Sequence, residues 1–262
     1  MEAFTIGVCA FAAIASAIAV PWKYVLNLAK GDAKLESKSD TACVCVGVGK
    51  SAKYGACPGA KVDSSRMFSL LSKYGATALL QDAKATASAV VSALQEACKK
   101  DLCIFFYSGH GGRVRNPKAQ DGTGYSEHLC LNNGALYDYT IWDVISKAKG
   151  RVVMIFDCCH SATMFRDAGG QDFENKGFEF KLLKSLASAQ GGGRNILVWS
   201  GCPSDNYSYG DDNGGWLTNG ILHGYKKDRT YDEVWRRASS EASEQHPVRT
   251  VLGDGFEGKV FR

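Results

Sequence analysis

Two short stretches of the chain hold side chains that can attack a carbonyl carbon and move a proton. Tyr107-Ser108-Gly109-His110-Gly111-Gly112 places an imidazole in a turn whose glycines permit unusual backbone angles and a close approach by a ligand. Ile155-Phe156-Asp157-Cys158-Cys159-His160-Ser161 offers two adjacent thiols, the second 49 residues after His110. A thiol attacks as its thiolate, and a neighbouring histidine both favours that form and protonates a leaving amine. Each motif also has a plain structural reading. A single histidine often serves packing alone, and Cys158 and Cys159 would also suit a core or a metal site shared with His160. Taken together, the two motifs point to a thiol nucleophile with a histidine partner.

Both motifs sit where apolar runs end. Runs rich in β-branched residues at 42–48, 76–80, 102–108, 151–157 and 195–200 predict buried strands of a largely parallel sheet. Helical patterns fall at 60–74, 84–100, 138–149, 216–226 and 231–245, the second with Val90, Val91, Leu94 and Cys98 on one face. A terminal strand pair is expected around 248–261. The alternation predicts an α/β fold, a three-layer α/β/α sandwich around a mostly parallel sheet of about six strands. Reactive groups of such sheets gather outside the carboxyl ends of strands, where His110 and the two cysteines stand. Segments 111–127 and 162–194 read as loops of functional size. Within the second, Phe178, Leu182, Leu183 and Leu186 recur at helical spacing and predict a lid, and Gly191-Gly192-Gly193-Arg194 predicts a flexible stretch.

These motifs resemble the metacaspases and their relatives with the caspase fold. The resemblance covers about residues 41–227 and rests on Tyr107 to Gly111 (YSGHG), Asp157 to Ser161 (DCCHS) and Trp199 to Ser208 (WSGCPSDNYS), with Ala162 where the family usually has glycine. It implies a cysteine endopeptidase with a Cys-His dyad. Cys159, the second cysteine of its motif, would be the nucleophile and His110 its partner, with an oxyanion hole from the backbone N–H groups of Gly111 and Cys159. It further implies a pocket for Arg or Lys built from Asp63, Ser108 and Asp157, with Asp205 contributing from the WSGCPSD loop. Asp63 is identified by the similarity of Cys57 to Phe68 to a family segment, Val62 replacing an asparagine. Acidic side chains in a desolvated pocket select a cation. Without the resemblance, Asp157 would read as a strand-end cap and Asp63 as a solvated helix residue.

No cofactor is obligatory in this reading, while the resemblance implies calcium stimulation through Asp121, Asp138 and Asp167. That set is incomplete, because Tyr139 stands where a second consecutive aspartate is expected. A basic specificity would also let the enzyme cut its own segment after Cys159, with Arg194 as the candidate site. Two alternatives stand beside it: a legumain-like or clostripain-like peptidase of the same fold, and a catalytically weak caspase-like scaffold or binding module.

Composition bounds these readings. The chain has 262 residues, 45% of them hydrophobic, and 5 prolines, which suits one globular domain at 41–262. Its 31 basic and 27 acidic residues are interspersed, so no basic face for nucleic acid is visible; protein or peptide substrates are the expected partners, and a monomer is expected. The 10 cysteines lie largely in apolar runs, which fits free thiols in a reducing compartment. Residues 1–40 form a separate N-terminal part, an apolar segment at 3–20 followed by a polar tether at 30–40. The segment has borderline length for a membrane anchor, and Lys23 and Lys30 behind it would keep the catalytic domain cytoplasmic. Ala17-Ile18-Ala19 also fits a signal cleavage site.

Overall fold

The computed structural model describes residues 40–119, 122–158, 165–166, 172–175, 194–203 and 208–262. The expectations for residues 3–20 lie outside these, and among the described residues no helix is long and apolar enough to cross a membrane. Strand β1 (Thr41–Gly47) leads through a small ribbon, β2 (Lys50–Ser51) and β3 (Gly55–Ala56), into helix α1 (Gly59–Leu71). Then come β4 (Ala76–Gln81), α2 (Ala87–Ala97), β5 (Leu102–Gly109), β6 (Gly111–Arg115), β7 (Tyr125–Leu131), β8 (Gly134–Tyr137), α3 (Asp138–Ile145) and β9 (Arg151–Cys158). The remaining elements are β10 (Phe165–Arg166), β11 (Asp172–Asn175), β12 (Ile196–Ser200), β13 (Gly210–Asp211), β14 (Gly214–Gly215), α4 (Trp216–Gly224), α5 (Tyr231–Glu241) and β15 (Val248–Leu252).

Among the described residues the central sheet has six strands in the order β15-β12-β9-β5-β1-β4. All neighbours run parallel except β12 and β15. Strands buried on both faces need nearly continuous apolar runs, and β5 from Leu102 to Tyr107 and β9 from Val152 to Phe156 supply them. Alternate residues feed two cores. Phe105, Tyr107, Met154, Phe156 and Cys158 pack toward α2 and α3, whereas Ile104, Phe106, Val153 and Ile155 pack toward α1, α4 and α5. The result is the expected α/β/α sandwich. From β1 the chain moves out to β4 and then crosses back to β5, so the strand order reverses at β1 and β5. A crevice forms at the carboxyl ends of strands at such a reversal.

Three expectations fail for identifiable reasons. Residues 111–127 are not a loop throughout: β6 and β7 pair antiparallel from Gly111↔Leu129 to Arg115↔Tyr125, and β8 continues the sheet. A backbone ladder needs no apolar side chain, and two glycines in β6 hide its period. The segment 162–194 contributes β10 and β11, with β11 pairing β6, and apart from Arg194 the rest of it, including the expected lid at 178–189, lies outside the described residues. The terminal strand pair is one strand, β15; after it Phe256, Val260 and Phe261 bury themselves in the α1, α4 and α5 core instead of forming a ladder.

Candidate active site

His110 follows directly on β5 and is 3% exposed. Gly109 turns the chain there with a φ of 155°, and a Cβ at that position would lie 2.6 Å from the Tyr107 hydroxyl. That hydroxyl donates to the His110 carbonyl at 2.7 Å and lies 3.0 Å from the Cys130 carbonyl. Cys130 N–H donates to the same His110 oxygen at 2.9 Å. Burial pushes the Tyr107 phenol well above its ordinary range, so it remains a donor at working pH. The imidazole is oriented from the other side, its Nε2 lying 3.1 Å from the Ala56 carbonyl at the end of β3. A carbonyl only accepts, so Nε2 carries the proton and Nδ1 is the basic nitrogen.

Strands β5 and β9 pair from Leu102↔Arg151 to Gly109↔Cys158, a constant offset of 49 residues. The same offset separates His110 from Cys159, which lies outside the described residues. Cys158 closes β9 and is 2% exposed, its side chain in the core with Phe156.

One residue earlier, the alternation turns Asp157 and Ser108 to the opposite face, where they are register partners. Asp63, on α1, completes a wholly buried cluster with them. Ser108 Oγ donates to Asp63 Oδ2 at 2.8 Å, and Gly215 N–H donates to the same carboxylate at 2.9 Å. Asp157 accepts from Ser208 Oγ at 3.0 Å, from Thr218 N–H at 2.8 Å and from Thr218 Oγ1 at 2.7 Å. The backbone at Gly214–Gly215 runs so close that a Cβ on Gly215 would lie 2.2 Å from Asp157 Oδ2. Burial, then the charge of Asp157, pushes the Asp63 carboxyl up to about 8, against hydrogen bonds from Gly215 and Ser108 and the nearby Arg66. Burial likewise raises Asp157, opposed by its bonds from Thr218 and Ser208. Two carboxyls with raised proton affinity in one desolvated cluster form a site that an incoming cation would stabilise.

The other expected site residues are dispersed or lie outside the described residues. Gly111 opens β6 opposite Leu129. Asp205, Asp121 and Asp167 lie outside the described residues. Asp138 is buried at the start of α3, where its Oδ1 accepts from Tyr139 N–H at 2.8 Å. Among the described residues no three His, Cys, Asp or Glu side chains converge on a metal position. Arg194, expected on a flexible stretch, is instead held against α3: its Nε donates to Ser146 O at 2.9 Å and its guanidinium stacks over Trp142.

A family profile described as Caspase domain matches residues 40–251. The chain belongs to the caspase-domain family. Over 122 residues, 41% of this chain, it is 29% identical to Metacaspase-5 of Trypanosoma cruzi. Over 128 residues, 45% of the chain, it is 29% identical to Inactive metacaspase-4 of Trypanosoma brucei brucei. The matched stretches span 26% and 36% of those relatives' own lengths. The crystal structure of protein GSU0716 from Geobacter sulfurreducens superposes with a TM-score of 0.64 at 19% identity, covering 84% of this chain and 98% of that one, and shares the fold.

Around the caspase-domain motifs, several site residues carry no sequence signal of their own. Ala56 acts through its carbonyl, Gly215 through its N–H and its lack of a Cβ, and Thr218 reaches Asp157 from 61 residues away. Ser208 is the exception: it ends the WSGCPSDNYS segment, and a serine next to a buried acid could have been singled out.

Proposed function

We propose that the chain is a cysteine endopeptidase that cleaves after Arg or Lys, with Cys159 as nucleophile and His110 as its proton-transfer partner. The observation that carries this reading is the buried Asp63–Ser108–Asp157 cluster, built at the ends of the same two strands that lead to His110 and Cys159. In the proposed reaction, Nδ1 of His110 takes the Cys159 proton, and the thiolate sulfur attacks the scissile carbonyl carbon. The backbone N–H groups of Gly111 and Cys159 then stabilise the oxyanion. The imidazolium returns the proton to the leaving amine, and water, deprotonated in turn by His110, releases the acyl group from the sulfur. Ala56 keeps the ring in the tautomer that this sequence needs.

Fluorogenic peptides with Arg, Lys, Asn or Asp before the scissile bond, assayed with and without calcium, test the reading. Turnover of the Arg and Lys peptides alone is the expected result; Asn turnover would assign a legumain-like activity instead. The calcium arm decides whether Asp121, Asp138 and Asp167 support stimulation. A second reading, a caspase-like binding module without activity, is favoured by the name of the relative from Trypanosoma brucei brucei. It requires that an electrophilic Arg-peptide ketone leave Cys159 unlabelled.

A further inference from the structure

Away from these strand ends, an open groove of about 390 Å3 lies at the C-terminal ends of α2 and α3, and Cys98 lines it together with Lys99, Lys147 and Lys149. Cys98 follows the last residue of α2 and is 5% exposed; Cys103, on β5, is fully buried. Their sulfurs lie 3.8 Å apart, within hydrogen-bonding range for sulfur. The backbone on both sides is fixed. Lys149 N–H donates to Cys98 O, Arg151 N–H to Asp101 O and Leu102 N–H to Asp40 O, each at 2.9 Å. The two thiols are therefore held as neighbours by the fold, and a disulfide between them needs a shortening on the order of one bond length, to about 2.05 Å.

We propose that Cys98 and Cys103 form a peroxide-oxidisable dithiol, entered through this groove and separate from the catalytic chemistry. Cys98 lines the groove, whereas Cys103 is fully buried and does not, so peroxide reaches the Cys98 sulfur first. The carbonyl end of α2 and Asp143 work against a thiolate at Cys98 and Lys147 works for it, Lys99 and Lys149 being paired with Glu96 and Asp101. Access therefore sets the order, and Cys98 attacks first. Its thiolate sulfur displaces hydroxide from hydrogen peroxide, breaking the O–O bond and giving Cys98 sulfenic acid; the hydroxide takes up a proton as water. Cys103 then attacks the sulfenic sulfur, and its proton leaves with the departing hydroxyl as a second water. Two thiols and one peroxide become one disulfide and two waters, and two electrons pass from sulfur to oxygen. The bond joins the α2 layer to the strand that leads to His110.

The test exposes the reduced full chain to hydrogen peroxide, blocks remaining thiols with iodoacetamide under denaturing conditions, and digests with trypsin, which cuts at Lys99 and Lys100 between the two cysteines. The expected product is a linked pair, one peptide ending at Lys99 and one beginning at Asp101, two hydrogens lighter than the separate peptides and split by reductant. In Cys103→Ala, dimedone should trap the sulfenic acid on Cys98; in Cys98→Ser, Cys103 should stay unoxidised. Recovery of both cysteines in blocked form from the native sequence, at a peroxide dose that oxidises free cysteine, overturns the proposal, as does Cys98 linked to another cysteine. The measurement on the native sequence stands even if either variant fails to fold.

Discussion

A carbonyl oxygen accepts hydrogen bonds and cannot donate them, so the Ala56 contact decides which nitrogen of His110 can receive a proton. The neighbouring cysteines are separated by an equally local argument. Cys158 is used up in the core, so Cys158→Ala is expected to lower the melting temperature while most peptide hydrolysis remains, whereas Cys159→Ala abolishes it. Initial rates on an Arg peptide decide, and equal loss in both variants sinks the assignment. Asp63→Asn is the sharper probe of the pocket, because the Ser108 hydroxyl can rotate to accept from the new amide. It is expected to cut kcat/KM for Arg peptides by at least about tenfold, as a charge-assisted contact loses its charge. The sign of the pH effect follows from the raised carboxyl: Asp63 is protonated below about 8, a cationic side chain binds the ionised form, and kcat/KM rises as pH climbs through that value. In Asp63→Asn that limb should be missing. His110, Ser108 and Asp157 could be singled out in the sequence because their types are costly at the end of an apolar strand, and all three are buried there. Ala56 and Thr218 were not, because one acts through backbone and the other reaches its partner only in the folded chain.

The five parallel strands of the central sheet were legible for a comparable reason, since a parallel strand covered on both faces is largely apolar. The second sheet, β10-β11-β6-β7-β8 among the described residues, was not, because its β6 begins with two glycines and takes its order from backbone pairing. The β13–β14 ribbon escaped notice as well, although Gly214 and Gly215 bound the acid cluster: only a residue without Cβ lets Gly215 N–H approach Asp63 while clearing Asp157. Gly215→Ala would force a methyl group against the Asp157 carboxyl, at 2.2 Å from Oδ2. We expect a lower melting temperature together with a fall in kcat/KM for Arg peptides of at least about tenfold. Gly258→Ala is the control, since a Cβ there meets nothing within 4 Å, and it should leave both quantities unchanged. Normal Arg cleavage by Gly215→Ala would show that the ribbon does not shape the pocket.

Three layers keep the strand end that carries His110 and the acid cluster on one crevice, and the cost of that arrangement is two carboxyls with no exposure to water. In the unfolded chain Asp63 ionises near its ordinary value of 3.8, while in the fold it keeps its proton up to about 8. Between those values the unfolded state binds fewer protons, so stability from this group is complete below about 4, declines as pH rises, and levels off above about 8. Many other groups titrate over the same range, so the quantity to read is the difference between the native sequence and Asp63→Asn. The variant should gain melting temperature relative to the native sequence on going from pH 5 to pH 8.5, at roughly 2–4 °C per kcal/mol for a domain of this size. A guanidinium ligand reverses the penalty, because it pairs with the carboxylates that burial disfavours. Agmatine should therefore raise the melting temperature of the native sequence, more at pH 8.5 than at pH 5, where binding must first expel a proton. It should do little to Asp63→Asn at either pH. A constant difference between the two proteins across this range, or an agmatine shift that ignores pH, would mean that Asp63 is already ionised in the empty pocket and that its neighbours, Gly215 N–H, Ser108 and Arg66, outweigh its burial.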